Sequence, residues 1–163
     1  MIVKNTPDFD ILVDDREKMP WNLAKNCKYI QHSTVARLLV GDYTIVGLED
    51  RLCIERKRTA TEFANNVFDK NFRLELERMQ KFLYRFIIFE FDLQNIIDFP
   101  AGSSIPAEKL AQVRVTGQYM MRFISEIETV YHIPVLICGS ESNARFMVAN
   151  IMRRVAEECL ITS

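Results

Sequence analysis

GDYTIVGLEDRLCIERK, residues 41–57, is the stretch on which the fold turns. Two apolar-rich segments, Asp42 to Val46 and Arg51 to Arg56, flank Gly47-Leu48-Glu49-Asp50. These four residues read as a hairpin turn in which glycine takes the backbone angles other residues resist. Asp42 therefore opens one strand, while Glu55 and Lys57 close the next. Side chains alternate along a strand, so Glu55 and Lys57 share a face and Arg56 takes the other. The antiparallel return sets Asp42 beside them. Two carboxylates and an ammonium at one sheet edge suit a hard, oxygen-seeking divalent cation and a water to be oriented or deprotonated.

Upstream, Asp10 to Asp14 predicts a strand covered on both faces, with Asp14 and Arg16 projecting from its end. Met1 to Phe9 reads as a loose end. Pro20 breaks the pattern, and Trp21 either anchors that loop or offers a platform for a base, anchoring being favoured. Lys28 to Val35 predicts a second strand. Downstream, Thr59 to Val67 predicts a helix with Thr59 as N-cap and Glu62 as capping-box partner. Phe72 to Tyr84 follows as an amphipathic helix, then a strand from Arg85 to Phe91 and a helical turn from Asn95 to Phe99. Glu108 to His132 is mostly helical, with a break between Val113 and Gly117. Pro134 to Cys138 is the last strand. Ser142 caps a closing helix, Asn143 to Cys159, with Phe146, Ala149, Ile151, Met152 and Val155 on its apolar side. Strands interleaved with helices make an α/β layer arrangement.

A chain of 163 residues suits one domain spanning 1–163. Its 48% hydrophobic and 26% charged content excludes a disordered polypeptide. The net charge of -1 supplies no global field toward nucleic acid, so any attraction must be local. Arg51, Arg56, Lys57, Arg58, Lys70, Arg73 and Arg78 offer such a cluster, although Arg73, Glu77 and Lys81 also have the spacing of surface ion pairs. Cys27, Cys53, Cys138 and Cys159 lack C-x-x-C spacing and only His32 and His132 accompany them, which argues against structural zinc. Cys53 and Cys138 read as small buried hydrophobes. No apolar run has membrane-spanning length and residues 1–5 lack the build of a signal peptide, so a reduced, cytoplasmic setting is expected.

Taken in order, Ile11-Leu12-Val13-Asp14-Asp15-Arg16-Glu17, Gly41-Asp42-Tyr43 and Ile54-Glu55-Arg56-Lys57 resemble the nuclease domain of the XPF-type (ERCC family) structure-specific endonucleases. E-x-K alone occurs on many solvated strands; three motifs in sequence, each at a strand end, are specific. The resemblance runs from about Asp10 to about Arg154. It implies a restriction-endonuclease-like α/β core, a central mixed sheet flanked by helices. It also implies a metal-dependent DNA endonuclease, using Mg²⁺ or Mn²⁺, that hydrolyses phosphodiesters in branched, forked or flapped DNA during repair or recombination.

On that resemblance Asp14, Asp42 and Glu55 hold metal, Asp14 being favoured over Asp15 by the family pattern. Lys57 orients or activates water, with burial lowering its pKa. Arg16 and Arg56 join the catalytic set, holding a phosphate or bracing the acids. Arg51, Arg58, Lys70, Arg73 and Arg78 contact DNA. Glu17 and Glu90 are secondary, Glu90 being as readily a solvated or Arg-paired carboxylate, and Tyr43 reads as packing. The sequence departs from the family at Thr61, where an aspartate is usual, and at Asn71, where an arginine usually precedes the aromatic. It also shows no tandem helix-hairpin-helix after Gly139. A stand-alone nuclease of bacterial or viral type is expected, its specificity drawn from a homodimer or a protein partner, or else relaxed, with the dimer formed by the final helices and last strand. The alternative is a non-catalytic DNA-binding or scaffold subunit. A third reading is a nuclease of ordinary duplex or RNA.

Overall fold

The structure, a computed structural model, describes residues 5–161. β1 (Phe9–Asp14) and β2 (Ile30–Ala36) lie parallel, joined through a 3₁₀ turn at Leu23–Lys25. β3 (Tyr43–Ile45) pairs antiparallel with β1, and β4 (Leu52–Lys57) antiparallel with β3. The turn between them carries Gly47 at φ +83°, as the hairpin reading requires. Two helices follow, α1 (Ala60–Asn66) and α2 (Lys70–Met79), then β5 (Tyr84–Phe89) parallel to β4. α3 (Leu93–Ile97), α4 (Ala107–Leu110) and α5 (Gly117–Thr129) lead to β6 (Val135–Ile137), parallel to β5, and the chain closes with α6 (Glu141–Cys159). The strand order is β2-β1-β3-β4-β5-β6, a mixed sheet flanked by helices and the expected restriction-endonuclease-like arrangement.

Local chemistry sets the boundaries. The Thr59 side chain accepts from Glu62 N, while the Glu62 carboxylate takes the amide of Arg58, one residue before the partner of a regular capping box. Asp69 caps α2 earlier than its apolar spacing suggested, and the helix stops at Met79 because Tyr84 already belongs to β5. The expected break falls between α4 and α5. A Cβ on Gly117 would stand 2.3 Å from the Ile96 carbonyl oxygen, so only glycine lets α5 pack this closely on α3. Ser140 caps α6 in place of Ser142. Phe146, expected on the apolar side, points outward and is 64% exposed; Ala144, Val148, Ala149, Met152, Val155 and Ala156 form the buried face instead. Residues 1–4 of the expected loose end lie outside the described residues. Thr6 donates a hydrogen bond to Glu157 and Phe9 opens β1, buried.

β4 sits inside the sheet and is buried on both faces. Leu52 and Ile54 join the cluster under α6, whereas Cys53 joins the one built from α1, α2, α3 and α5. Each fully buried aliphatic side chain contributes about 1.5–3 kcal/mol. Continuing the same strand carries Glu55, Arg56 and Lys57 into this interior. Buried charges are tolerable only when paired, so their partners determine the local architecture.

Candidate active site

Lys57 and Glu55 lie on the α1/α2 side of β4. Lys57 Nζ donates to Glu55 Oε1 at 2.7 Å and stands 4.6 Å from the Phe72 ring centre. Asp42 is clamped between two strands: its N–H donates to the Ile54 carbonyl at 2.8 Å, and its own carbonyl accepts from Asp14 N at 2.8 Å. The approach is close because residue 41 is glycine, at φ +74°, where a Cβ would fall 2.6 Å from Cys53 Sγ. One Asp42 carboxylate oxygen accepts the Arg56 amide at 2.7 Å. Asp42 and Glu55 thus face one cleft of about 240 Å³, lined also by Arg16, Glu17, Lys18, Arg56, Arg58 and Glu62.

The electrostatics follow from burial. Desolvation, with repulsion from Glu55, pushes the Asp42 carboxyl well above the usual carboxylate range. Glu55 is raised by burial too, an effect that Lys57 opposes in part. For Lys57, burial pulls the pKa down, but the charge and hydrogen bond of Glu55 outweigh it and the pKa stands above the ordinary lysine value. The expectation of a lowered lysine pKa is therefore corrected: Lys57 is held as an ammonium. Two desolvated carboxylates, Asp42 raised further by the charge of Glu55 and Glu55 by that of Glu75, form a donor set that a divalent cation relieves.

Asp14, expected among the metal ligands, is met by donors of its own chain. Oδ1 accepts from Arg16 N at 2.9 Å and Arg16 Nε at 2.6 Å; Oδ2 accepts from Arg16 Nη2 at 3.0 Å and Leu38 N at 2.8 Å. Burial raises the Asp14 pKa, but these bonds outweigh it and hold the carboxyl below its usual value. Among the described residues no group of three His, Cys, Asp or Glu side chains could hold a metal ion, so the expected Asp14, Asp42 and Glu55 triad is not assembled. Arg16, also bonded to the Leu38 carbonyl at 3.1 Å, lines the cleft with 56% of its side chain exposed.

Arg56 sends its side chain to the opposite face of β4, as strand alternation requires, and is 1% exposed there. Its guanidinium meets Glu90 Oε1 at 2.7 Å, the Met19 carbonyl at 2.6 Å and Glu17 Oε2 at 3.3 Å, with its carbon 4.5 Å from the Trp21 ring centre. Such a cation is fully spoken for: it braces and does not reach a phosphate. Glu90 is the Arg-paired carboxylate that the sequence allowed. Trp21 is buried and stacked 4.8 Å from Tyr43, which is packing as expected. The anchoring reading of Trp21 holds.

The basic residues expected on DNA do not form one surface. Arg58 lines the cleft, and exposed Lys70 opens α2, two residues before the Phe72 that carries Lys57. Arg51 lies at the far end of β4 from Glu55. Arg73 is committed to Glu126 and packs over Phe123. Arg78 lines a different, apolar-floored groove of about 740 Å³ with Arg37, Leu39 and Lys81. Sequence reading passed over Lys18 and gave Glu62 a capping role, with a place as substitute for the family aspartate absent at Thr61 only after a local shift. Lys18 sits two residues beyond Arg16 and Glu62 one beyond Thr61, and only the folded loops bring both to the cleft.

Comparison with known proteins agrees with this architecture. A family model described as "ERCC4 domain" matches residues 13–151. XPF from Aeropyrum pernix superposes with a TM-score of 0.63 at 18% identity, over 88% of this chain and 65% of that one. The same protein in complex with DNA gives 0.62 at 19% identity, over 92% of this chain and 66% of that one. The chain thus spans just under two thirds of these relatives. No protein with a curated description matches the sequence.

Proposed function

As the chain belongs to the ERCC4 domain family, we propose that it is a metal-dependent DNA endonuclease acting on branched, forked or flapped DNA. The observation that carries this reading is that Asp42 and Glu55 face one cleft with a basic rim of Arg16, Lys18 and Arg58, while Lys57, buried behind them, is bonded to Glu55. Asp42 and Glu55 are the residues that would hold Mg²⁺ or Mn²⁺, with Glu17 and Glu62 near. Such an ion, when bound, neutralises charge on the phosphoryl oxygens and acidifies a water. Lys57, an ammonium fixed by Glu55, donates a hydrogen bond to the attacking water or a phosphoryl oxygen. Water oxygen bonds to phosphorus and gives up a proton to solvent, the bond to the leaving sugar oxygen breaks, and that oxygen takes up a proton from solvent. Asp14 holds Arg16 at the rim, where a phosphate passes. Arg16, Lys18 and Arg58 would track the backbone, giving binding that weakens with salt.

A second copy of the chain is the partner we favour. Ile137 on β6, at the open edge of the sheet, and Phe146 and Met147 on α6 are exposed apolar side chains on the last strand and final helix. No helix among the described residues is long and apolar enough to cross a membrane.

The test is cleavage of labelled forks, flaps, four-way junctions and linear duplex with Mg²⁺, with Mn²⁺ and with chelator. Cation-dependent cleavage of branched substrates, abolished in Glu55→Gln, is the expected result. Cleavage indifferent to chelator, or equal in Glu55→Gln, would exclude the metal mechanism.

A further inference from the structure

Two side chains of the cleft, Asp42 and Glu55, and the Lys57 bonded to Glu55 take their positions from one peptide unit. Glu55 and Lys57 are the neighbours of Arg56, and the Arg56 amide holds Asp42 Oδ2 at 2.7 Å. Whatever fixes the rotation of β4 at Arg56 therefore fixes all three. On the far face that rotation is set by the guanidinium, and the acceptor that meets its Nε is Glu90 Oε1 at 2.7 Å. The same oxygen accepts from Trp21 Nε1 at 2.5 Å. Glu90 is tied at its own backbone as well, its N–H donating to the Lys57 carbonyl at 3.0 Å. Its side chain is 7% exposed, so the two bonds form in a nearly dry site where such contacts are strong and costly to lose.

We propose that Glu90 is a positioning residue of the nuclease site. It touches neither cation nor substrate, but through Arg56 it holds Asp42, Glu55 and Lys57 in register, and through Trp21 it pins the loop that carries Arg16 to Lys18 over the cleft. This assignment rests on the hydrolase reading above. Glu17 also meets Arg56, at 3.3 Å, but it lies in that loop and spends its other oxygen on Met19 N, so it follows the loop and cannot anchor it. Glu90 belongs to the frame, at the end of β5.

Trp21 is the one tryptophan of the chain, so its emission reports the Glu90 contact with no need for activity. Glu90→Ala is expected to red-shift that emission, raise the Mg²⁺ concentration for half-maximal fork cleavage by about tenfold and lower kcat by about tenfold or more. Affinity for the fork in chelator falls by less than the turnover does, because only the loop that carries Arg16 and Lys18 is released. Glu90→Gln, which keeps an acceptor oxygen for both donors, restores the emission and most of the turnover. Circular dichroism melting identifies folded protein for each assay. A lower melting temperature in Glu90→Ala with an unmoved cation requirement would overturn the assignment, as would a glutamine variant no better than alanine. Cleavage surviving Asp42→Asn defeats the hydrolase reading itself. Wild-type cleavage that Glu90→Ala leaves untouched defeats only the role given to Glu90.

Discussion

The end of β1 and the entry to β3 each present an aspartate, on neighbouring strands joined by the bond from Asp14 N to the Asp42 carbonyl. Their electrostatics are opposite. Asp14 takes four hydrogen bonds from Arg16 and Leu38 and is held below the usual carboxylate pKa. Asp42 takes one backbone N–H, faces Glu55, and is pushed well above it. A carboxylate supplied with donors is a structural strut. One that is desolvated beside another acid and left short of donors is a receptor for positive charge, and its instability is useful only where a cation arrives.

Substitution breaks the comparison most sharply at Asp42. Asp42→Asn is expected to lower fork cleavage at least about 100-fold while leaving melting unchanged or about 1 kcal/mol more stable, because a buried like-charge pair is relieved. Next in size is Asp14→Asn, expected to lose about 2 kcal/mol in denaturant unfolding at neutral pH. The sign with pH is fixed: the folded pKa of Asp14 lies below the ordinary aspartate value of 3.8, so its contribution is complete above that value and is lost as pH falls through the folded one. The gap between wild type and Asp14→Asn should therefore close in acid, and a gap constant down to the lowest pH would contradict the strut. The smallest effect separates the basic residues. Arg58→Gln should reduce the slope of log affinity for DNA against log salt by about one, whereas Arg51→Gln, at the far end of β4, should leave it unchanged in the same salt titration.

Much of this was legible in residues 41–57. The hairpin, the central strand and the shared face of Glu55 and Lys57 come from alternation and turn chemistry, which act over a few residues. Alternation also sent the Arg56 side chain to the other face of β4. What it could not supply was the partner, because Glu90 and Trp21 reach Arg56 only through strand pairing and a loop 35 residues upstream, and pairing is a property of the sheet. The donors that hold Asp14 were out of reach for the same reason: the amide that occupies Oδ2 belongs to Leu38, 24 residues away. The lysine pKa went wrong because burial was weighed without the Glu55 contact that reverses it. Ser140 and Ser142 are equally good caps by type; Gly139 at φ +77°, its N–H on the Phe91 carbonyl, ends the preceding segment and selects Ser140. Proximity in sequence made Arg51, Arg58 and Arg78 look like one patch, yet β4 sets Arg51 and Arg58 at opposite ends, and Arg78 lines the groove beside Asp50 and Leu52, at the Arg51 end.

Calorimetric titration of Mg²⁺ into the folded protein tests most directly whether the Asp42 and Glu55 cleft seats a cation. Binding by the wild type that persists in Asp14→Asn and disappears in Asp42→Asn is the expected result. Equal binding by the wild type and Asp42→Asn, or a loss in Asp14→Asn as large as in Asp42→Asn, would contradict it.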